Sequence, residues 1–250
     1  MKSVRDLSFY FWIFLIFIAS QITAALLNIR FVGSSQMIIE PFWQYLDPQI
    51  LKTELVRGLF FLHSQPPLFN AFLGVVLKLF PQSYEQVFAW IFRAISLGTL
   101  LLMGFIMRRM ALNEKLIFVF CAIFALFSNF LVYTNLLFYT LPVAFLLLLS
   151  CLFLQMFLET QKTEYAVLFT STAGIIMLTR SIYHLIWFLL CGIVIFFLID
   201  HNRRRIFLRA AIIPIFLVIL LYAKNSALVG SFGPSSWMGM NLARGWQLPT

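Results

Sequence analysis

The chain has 250 residues, of which 62% are hydrophobic and only 11% are charged. A soluble domain is about half apolar and a quarter charged, so this composition excludes a water-soluble globule and predicts a polytopic membrane protein. The net charge of +9 does not indicate nucleic-acid binding, because the basic residues flank apolar runs instead of covering one surface, as expected for membrane loops.

The first apolar run follows Lys2 and Arg5 and extends over residues 7–29. A cleaved signal peptide would have an apolar core of about 7–15 residues. A run of this length can instead cross a bilayer. We therefore favour an uncleaved first transmembrane helix over a signal peptide.

The polar segment 30–67 comes next. Within it, apolar residues recur at near-helical spacing over 48–62, which predicts an amphipathic helix lying at the membrane interface. Residues 66–80 form a short apolar stretch of about 15 residues, or roughly 22 Å as a helix, against a hydrocarbon core of about 30 Å. This stretch is either a re-entrant or interfacial helix or a short pass.

The remaining apolar runs predict six further passes. A long run is divided at Thr179-Arg180-Ser181, because an arginine inside lipid is costly. The predicted passes are 86–107, 116–135, 137–158, 165–179, 182–199 and 206–223. With the first helix, we expect about seven transmembrane helices, plus or minus one, in a single transmembrane domain over 1–250. Segments 30–67 and 224–250 then both lie on the non-cytoplasmic side, where a cleft between them is geometrically possible.

Asp47 is the first candidate for chemistry. It lies among aromatic residues and directly before Pro48. At a membrane surface its carboxylate would be partly desolvated, which suits a general base. The alternative is that Asp47 caps a helix beginning at Pro48, since proline is favoured at the first helical position. An aspartate can perform both roles.

Other polar residues are candidates for binding. Lys52, Glu54 and Arg57 lie on the predicted interfacial helix, where the alternative is simply a solvated face. His63 precedes a stiff Pro66-Pro67 pair and is a candidate for phosphate or sugar contact. Two arginines complete this group: Arg180, at the predicted membrane edge, and Arg244, beside a tryptophan in the final segment.

The order of these features resembles the GT-C superfamily of membrane glycosyltransferases. The matching residues are Asp47 in the first loop, His63-Ser64-Gln65-Pro66-Pro67-Leu68 at the start of the next helix, Phe92-Arg93-Ala94, and Leu178-Thr179-Arg180-Ser181. The resemblance is to the branch of dolichyl-phosphate-mannose protein mannosyltransferases and bacterial aminoarabinose lipid A transferases. Two adjacent acids are frequent in the first loop of that branch, whereas Asp47 is followed by Pro48.

The resemblance implies inverting transfer of a sugar from a polyprenyl-phosphate donor to a hydroxyl of a lipid, glycan or protein acceptor. The site would face away from the cytoplasm, in a bacterial inner membrane, with Asp47 as the base. The resemblance does not decide whether a divalent metal assists the transfer, so a metal-assisted site and a site without a cofactor are both retained. Because the family has more helices, we expect the 250 residues to be the first half of a longer enzyme. A transporter or lipid flippase, or a non-catalytic scaffold or fragment, are the other interpretations.

Overall fold

The computed structural model describes residues 2–33 and 45–237, with side chains for all of these except residues 2–6 and 202. Within this part of the chain the protein is built from eleven α-helices and contains no strand. A single parallel bridge joins Val32 to Leu136. The predicted all-α class is confirmed.

The helices are named here in chain order. They are α1 (Lys2–Leu26), α2 (Pro48–Thr53), α3 (Leu55–Phe61), α4 (Leu68–Leu79), α5 (Tyr84–Arg109), α6 (Glu114–Leu126), α7 (Ser128–Thr134), α8 (Thr140–Thr160), α9 (Thr163–Thr179), α10 (Leu185–Leu198) and α11 (His201–Val229).

Four helices in the described residues are long and apolar enough to cross a membrane, namely α1, α5, α8 and α11, and a fifth span exists if α6 and α7 are counted together. The protein is therefore a polytopic membrane protein, as predicted. Helices α9 and α10 have 17 and 14 residues, or about 25 and 21 Å, which is short for a hydrocarbon core of about 30 Å. The count of seven requires both to cross, and that part stays a prediction.

The predicted pass 116–135 is wrong as a single helix. Helix α6 ends before Phe127, which is extended, and α7 continues at an angle of 63°. Ser128 and Asn129 follow the break, and both have poor helix propensity because their side chains compete for backbone hydrogen bonds. At the end of α7, the hydroxyls of Thr134 and Ser96 lie 2.8 Å apart, so the bent pair is tied to α5.

Two further boundaries differ from the prediction. The interfacial helix 48–62 is two short helices, because Glu54 has φ −125° and ends α2 before α3 begins. Helix α11 continues six residues beyond 223 to Val229, so the final polar segment begins later than predicted.

Helix α4 has 12 residues, about 18 Å, which favours the interfacial or re-entrant alternative for 66–80.

The described residues form two compact units. The first combines residues 2–33 with Phe80–Leu148, and the second combines residues 45–79 with 149–237. In the first unit, α1 packs on α5 and α6, and the phenyl rings of Phe9, Phe88 and Phe92 are buried. Hydrophobic burial between these helices defines the core of that unit.

The second unit is centred on the pair α9 and α11. These helices approach most closely where Gly174 faces Pro214, since a Cβ added at the glycine would lie 2.9 Å from the proline Cβ. Small residues at crossing points let the backbones of membrane helices pack tightly. The surrounding core includes Phe169, Phe188 and Phe207. Helix α4 also packs on α9, which brings the sequence candidates of 45–67 into this unit.

Candidate functional site

Asp47 is the N-cap of α2. Its Oδ1 accepts the backbone N–H of Gln49 at 2.6 Å, and Pro48 is the first helical residue. The capping alternative is therefore what the structure shows. The carboxylate is exposed, and no hydrogen bond or ion pair from the described residues reaches Oδ2. The hydrogen bond to Oδ1 thus fixes the position of the Asp47 carboxylate, and Oδ2 remains available for another contact.

The backbone beside Asp47 is anchored to the first turn of α4. The N–H of Leu46 donates to Oδ1 of Asn70 at 2.8 Å, and Asn70 is buried. The ring of Tyr45 packs against that of Phe69, with centroids 5.7 Å apart. Because His63–Pro67 leads directly into the same turn of α4, Asp47 and the His63 turn lie at one end of one helix.

The interfacial candidates contact each other. Arg57 donates from Nη1 to Oε2 of Glu54 at 3.0 Å, and both side chains are mostly exposed. Such a surface ion pair is worth about 0–1 kcal/mol, so it fixes the local conformation only weakly. Lys52 is half-buried on α2. The structure thus joins Glu54 to Arg57 across the start of α3.

His63 is held by the segment that follows α11. Its Nδ1 lies 2.9 Å from the hydroxyl of Ser236, and the N–H of Ser236 donates to the His63 carbonyl at 2.9 Å. The hydroxyl of Ser235 donates to the Ser64 carbonyl. The structure therefore brings the two polar segments together at 63–64 and 235–236. No hydrogen bond or ion pair among the described residues joins His63 to Asp47.

The contacts between 63–64 and 235–236 form a polar cluster, and Lys224 belongs to it. This lysine was not predicted as a site residue from the sequence. Its Nζ donates to the carbonyl of Leu62. The neighbouring Asn225 is buried and donates from Nδ2 to the Gly233 carbonyl at 2.8 Å. Two neighbouring residues of α11 thus bond to the backbone just before His63 and just before Ser235. The sequence signal was the apolar run Ala227-Leu228-Val229 after Lys224, which continues the helix beyond 223.

Arg180 is the C-cap of α9, where its N–H donates to the Ile176 carbonyl at 3.0 Å. The predicted division of the long run at this residue is correct. The guanidinium-bearing side chain is half-buried. The next residue, Ser181, makes a long hydrogen bond of 3.4 Å to Oε1 of Gln65. Arg180 therefore directly precedes a residue that contacts the His63 turn.

His184, which lies between α9 and α10, has a structural role. Its Nδ1 accepts the N–H of Ile186 at 3.3 Å and caps α10, and its ring packs on Tyr222 at 5.1 Å. Partial burial lowers the pKa of His184 below its ordinary value. The hydroxyl of Tyr222 in turn accepts the N–H of Leu185 at 3.1 Å. These contacts fix the loop that carries Arg180.

Arg244, the remaining candidate, lies outside the described residues. Within the described ranges 2–33 and 45–237, no group of three His, Cys, Asp or Glu side chains is placed to hold a metal ion. His63 and Lys224 share one cluster of contacts, Asp47 is anchored at the end of α4 that the His63 turn enters, and Arg180 directly precedes a residue that contacts this turn, all in the second unit. This combination suits proton abstraction beside an anionic group.

Comparisons of the chain with protein-family models, with curated proteins and with solved structures found no match.

Proposed function

We propose that this chain is an integral-membrane glycosyltransferase of the GT-C type. In this proposal it moves a sugar from a polyprenyl-phosphate donor to an acceptor hydroxyl, with Asp47 as the general base. The observation that carries the proposal is the anchoring of the Asp47 backbone, through Leu46 and Asn70, at the end of α4 that His63–Pro67 enters. This places an exposed carboxylate near a turn rich in polar groups.

The chemistry follows from these groups. The acceptor oxygen attacks the anomeric carbon while Asp47 takes its proton, and the bond between that carbon and the phosphate oxygen breaks with inversion. The leaving group is a lipid phosphate, whose negative charge is stabilised by nearby cations and hydrogen-bond donors. Lys52, Arg57, His63, Arg180 and Arg244 are the proposed contacts for the phosphate or the sugar, and Glu54 is proposed to contact sugar hydroxyls.

The proposed role of Lys224 is positional. Because its Nζ donates to the Leu62 carbonyl, it holds the residue before His63. Together with the pairing of Ser235 and Ser236 to the same turn, it fixes where the imidazole stands relative to α4. Fixed orientation of binding groups lowers the barrier to transfer.

We also propose that the site faces away from the cytoplasm of a bacterial inner membrane, acting on a lipid, glycan or protein acceptor. The support is the distribution of basic residues. Arg108 and Arg109 end α5, and Arg203-Arg204-Arg205 begin α11. Arginines at such ends favour the cytoplasmic side. The segments 30–67 and 230–250 then lie opposite to them.

A lipid flippase or transporter is the second candidate, and one observation favours it. Transporters commonly use broken helices, and α6 and α7 are bent by 63° at Phe127. At the end of α7 the hydroxyls of Thr134 and Ser96 lie 2.8 Å apart, and no carboxylate of the described residues bonds to them. The first proposal is preferred because Asp47 supplies the acid–base group that group transfer needs.

The test is sugar transfer by the purified protein in proteoliposomes. A panel of polyprenyl-phosphate sugars with different labelled head sugars is supplied together with lipid and peptide acceptors. The proposal predicts that at least one donor loses its sugar to an acceptor, with inversion at the anomeric carbon. Translocation of a polyprenyl phosphate across the bilayer, without transfer from any donor of the panel, would instead support the flippase.

A further inference from the structure

The first unit contains an open groove between α1 and α5. Its volume is about 490 Å³, within the range of about 300–1,000 Å³ that is typical of small-molecule sites. The walls are mainly apolar, with alanines at Ala25 and Ala94 that keep the groove wide. Its polar side chains are Gln21, Arg93 and Asn135. The groove is therefore mainly apolar, and Arg93 is the charged residue in its described lining.

Arg93 is the unusual member of this lining. It lies inside a helix that is long and apolar enough to cross the membrane, where a charged side chain is costly and usually marks a functional site. Its guanidinium lies over the ring of Trp90, with 5.3 Å to the centroid. No carboxylate of the described residues pairs with Arg93. The ring offers the cation only partial compensation, because Trp90 is itself 67% exposed.

Arg93 lies below the headgroup region, inside the hydrocarbon core. Helix α5 has 26 residues, about 39 Å, and Arg93 lies nine residues, or about 14 Å, from its start. If α5 extends equally beyond both edges of a hydrocarbon core of about 30 Å, the Cα of Arg93 is roughly 9 Å inside one edge. The long arginine side chain extends outward toward the interface, and local thinning of the bilayer brings lipid phosphates toward it.

We propose that this groove binds one anionic phospholipid of the surrounding bilayer. Its phosphate lies against the guanidinium of Arg93, and one acyl chain follows the apolar walls of α1 and α5. The proposal does not depend on the sugar-transfer proposal, because it concerns residues of the other unit.

Charge argues for an anionic lipid over a zwitterionic one. A zwitterionic headgroup carries an ammonium group, which needs a carboxylate or a free aromatic face. The described lining of the groove offers no carboxylate, and the Trp90 ring already faces Arg93. The amides of Gln21 and Asn135 also line the groove. Each already donates one hydrogen bond, to the Ser20 hydroxyl and to the Leu131 carbonyl, and the second N–H of each suits a phosphate or glycerol oxygen.

Native mass spectrometry of the full chain in detergent tests this inference, with phosphatidylglycerol and phosphatidylcholine as probes at equal concentration. The expected result is one tightly retained phosphatidylglycerol per chain, preferred over phosphatidylcholine by roughly tenfold, as one charge-assisted contact would give. Arg93→Gln should remove this preference, whereas Arg93→Lys should keep most of it. Lys115→Gln is the matched control, because Lys115 is an exposed cation on α6 of the same unit and does not line the groove.

A second variant keeps the inference testable if Arg93→Gln fails to fold. Ala94→Phe fills the groove while leaving the charge, and it should lower the retention of both lipids. Three results would overturn the inference: equal retention of the two lipids by the wild type, an unchanged preference in Arg93→Gln, or displacement of phosphatidylglycerol by an equimolar polyprenyl phosphate.

Discussion

The hydroxyl of Thr170 on α9 donates to the carbonyl of Ala210 on α11 at 2.9 Å. Ala210 is the residue four positions before Pro214, which lies inside α11. Proline has no N–H, so the helix leaves this carbonyl without its usual partner. In a membrane an unsatisfied backbone carbonyl is costly, and a hydroxyl from a neighbouring helix commonly satisfies it. Thr170 and Gly174 therefore adapt α9 to the proline in α11.

Replacing Thr170 with valine tests this adaptation. The variant keeps the shape of the side chain and removes the donor, so we expect the free energy of unfolding in micelles to fall by about 0.5–2 kcal/mol. Thr172→Val is the matched control, since the Thr172 hydroxyl bonds to the Leu168 carbonyl of its own helix at 2.7 Å. If the two variants lose equal stability, Thr170 has no special role at the Ala210 carbonyl.

The stability of the protein should depend on pH through His184. Burial lowers the pKa of His184 in the folded protein below its ordinary value of about 6.5. The unfolded chain therefore takes up a proton first as the pH falls. The stabilising contribution is present above pH 6.5 or so, and it is lost as the pH falls through the lower pKa of the folded state.

The variant His184→Asn separates this titration from the cap. Asparagine is a good N-cap and does not titrate, so α10 should still begin at Leu185. We expect unfolding followed between pH 7 and 5 to show a smaller loss of stability for His184→Asn than for the wild type. An identical pH dependence in both proteins would show that another group is responsible.

Removal of the Lys224 ammonium should loosen the His63 turn. In Lys224→Met the Leu62 carbonyl loses its donor, and we expect hydrogen exchange of the Ser236 amide, which bonds to His63, to accelerate roughly tenfold. Lys162→Met is the control, because that lysine is exposed and has only a distant ion pair of 3.9 Å with Glu164. Unchanged exchange in Lys224→Met would exclude a positioning role for the lysine.

The membrane-spanning helices could be predicted from the sequence, because a helix that crosses a bilayer needs a long run of apolar residues. Arg180 marked the end of α9 correctly, since a charge is favoured at a helix end over the middle of a span. The break at Phe127 was missed because no proline or glycine stands there, and the weaker signal of Ser128 and Asn129 does not by itself predict a helix end. Glu54 likewise ends α2 without a recognised helix-breaking residue.

The candidate site was readable in part. Asp47-Pro48 predicted the helix cap from local rules alone, whereas the carboxylate that was expected to be partly desolvated is exposed. The pairing of His63 with Ser236 was not readable, because 173 residues separate them and no local pattern relates such distant positions. Lys224 was missed for a related reason. A lysine after an apolar run suggests a loop, whereas its place inside α11 depends on the apolar residues that follow it.

The central claim is that the charge of Asp47, and not merely its capping bond, is needed for sugar transfer. Asparagine at an N-cap is about as favourable as aspartate, so Asp47→Asn should preserve α2, membrane insertion and thermal stability while removing the base. The matched control is Glu85→Gln, which neutralises an exposed carboxylate in the first turn of α5.

The measurement is the rate of sugar transfer from the active polyprenyl-phosphate donor in proteoliposomes, compared among the wild type, Asp47→Asn and Glu85→Gln at equal amounts of inserted protein. We predict a loss of about 10²- to 10⁴-fold for Asp47→Asn alone, the usual contribution of a general base. A rate for Asp47→Asn within roughly twofold of the wild type would contradict the account and leave Asp47 as a helix cap.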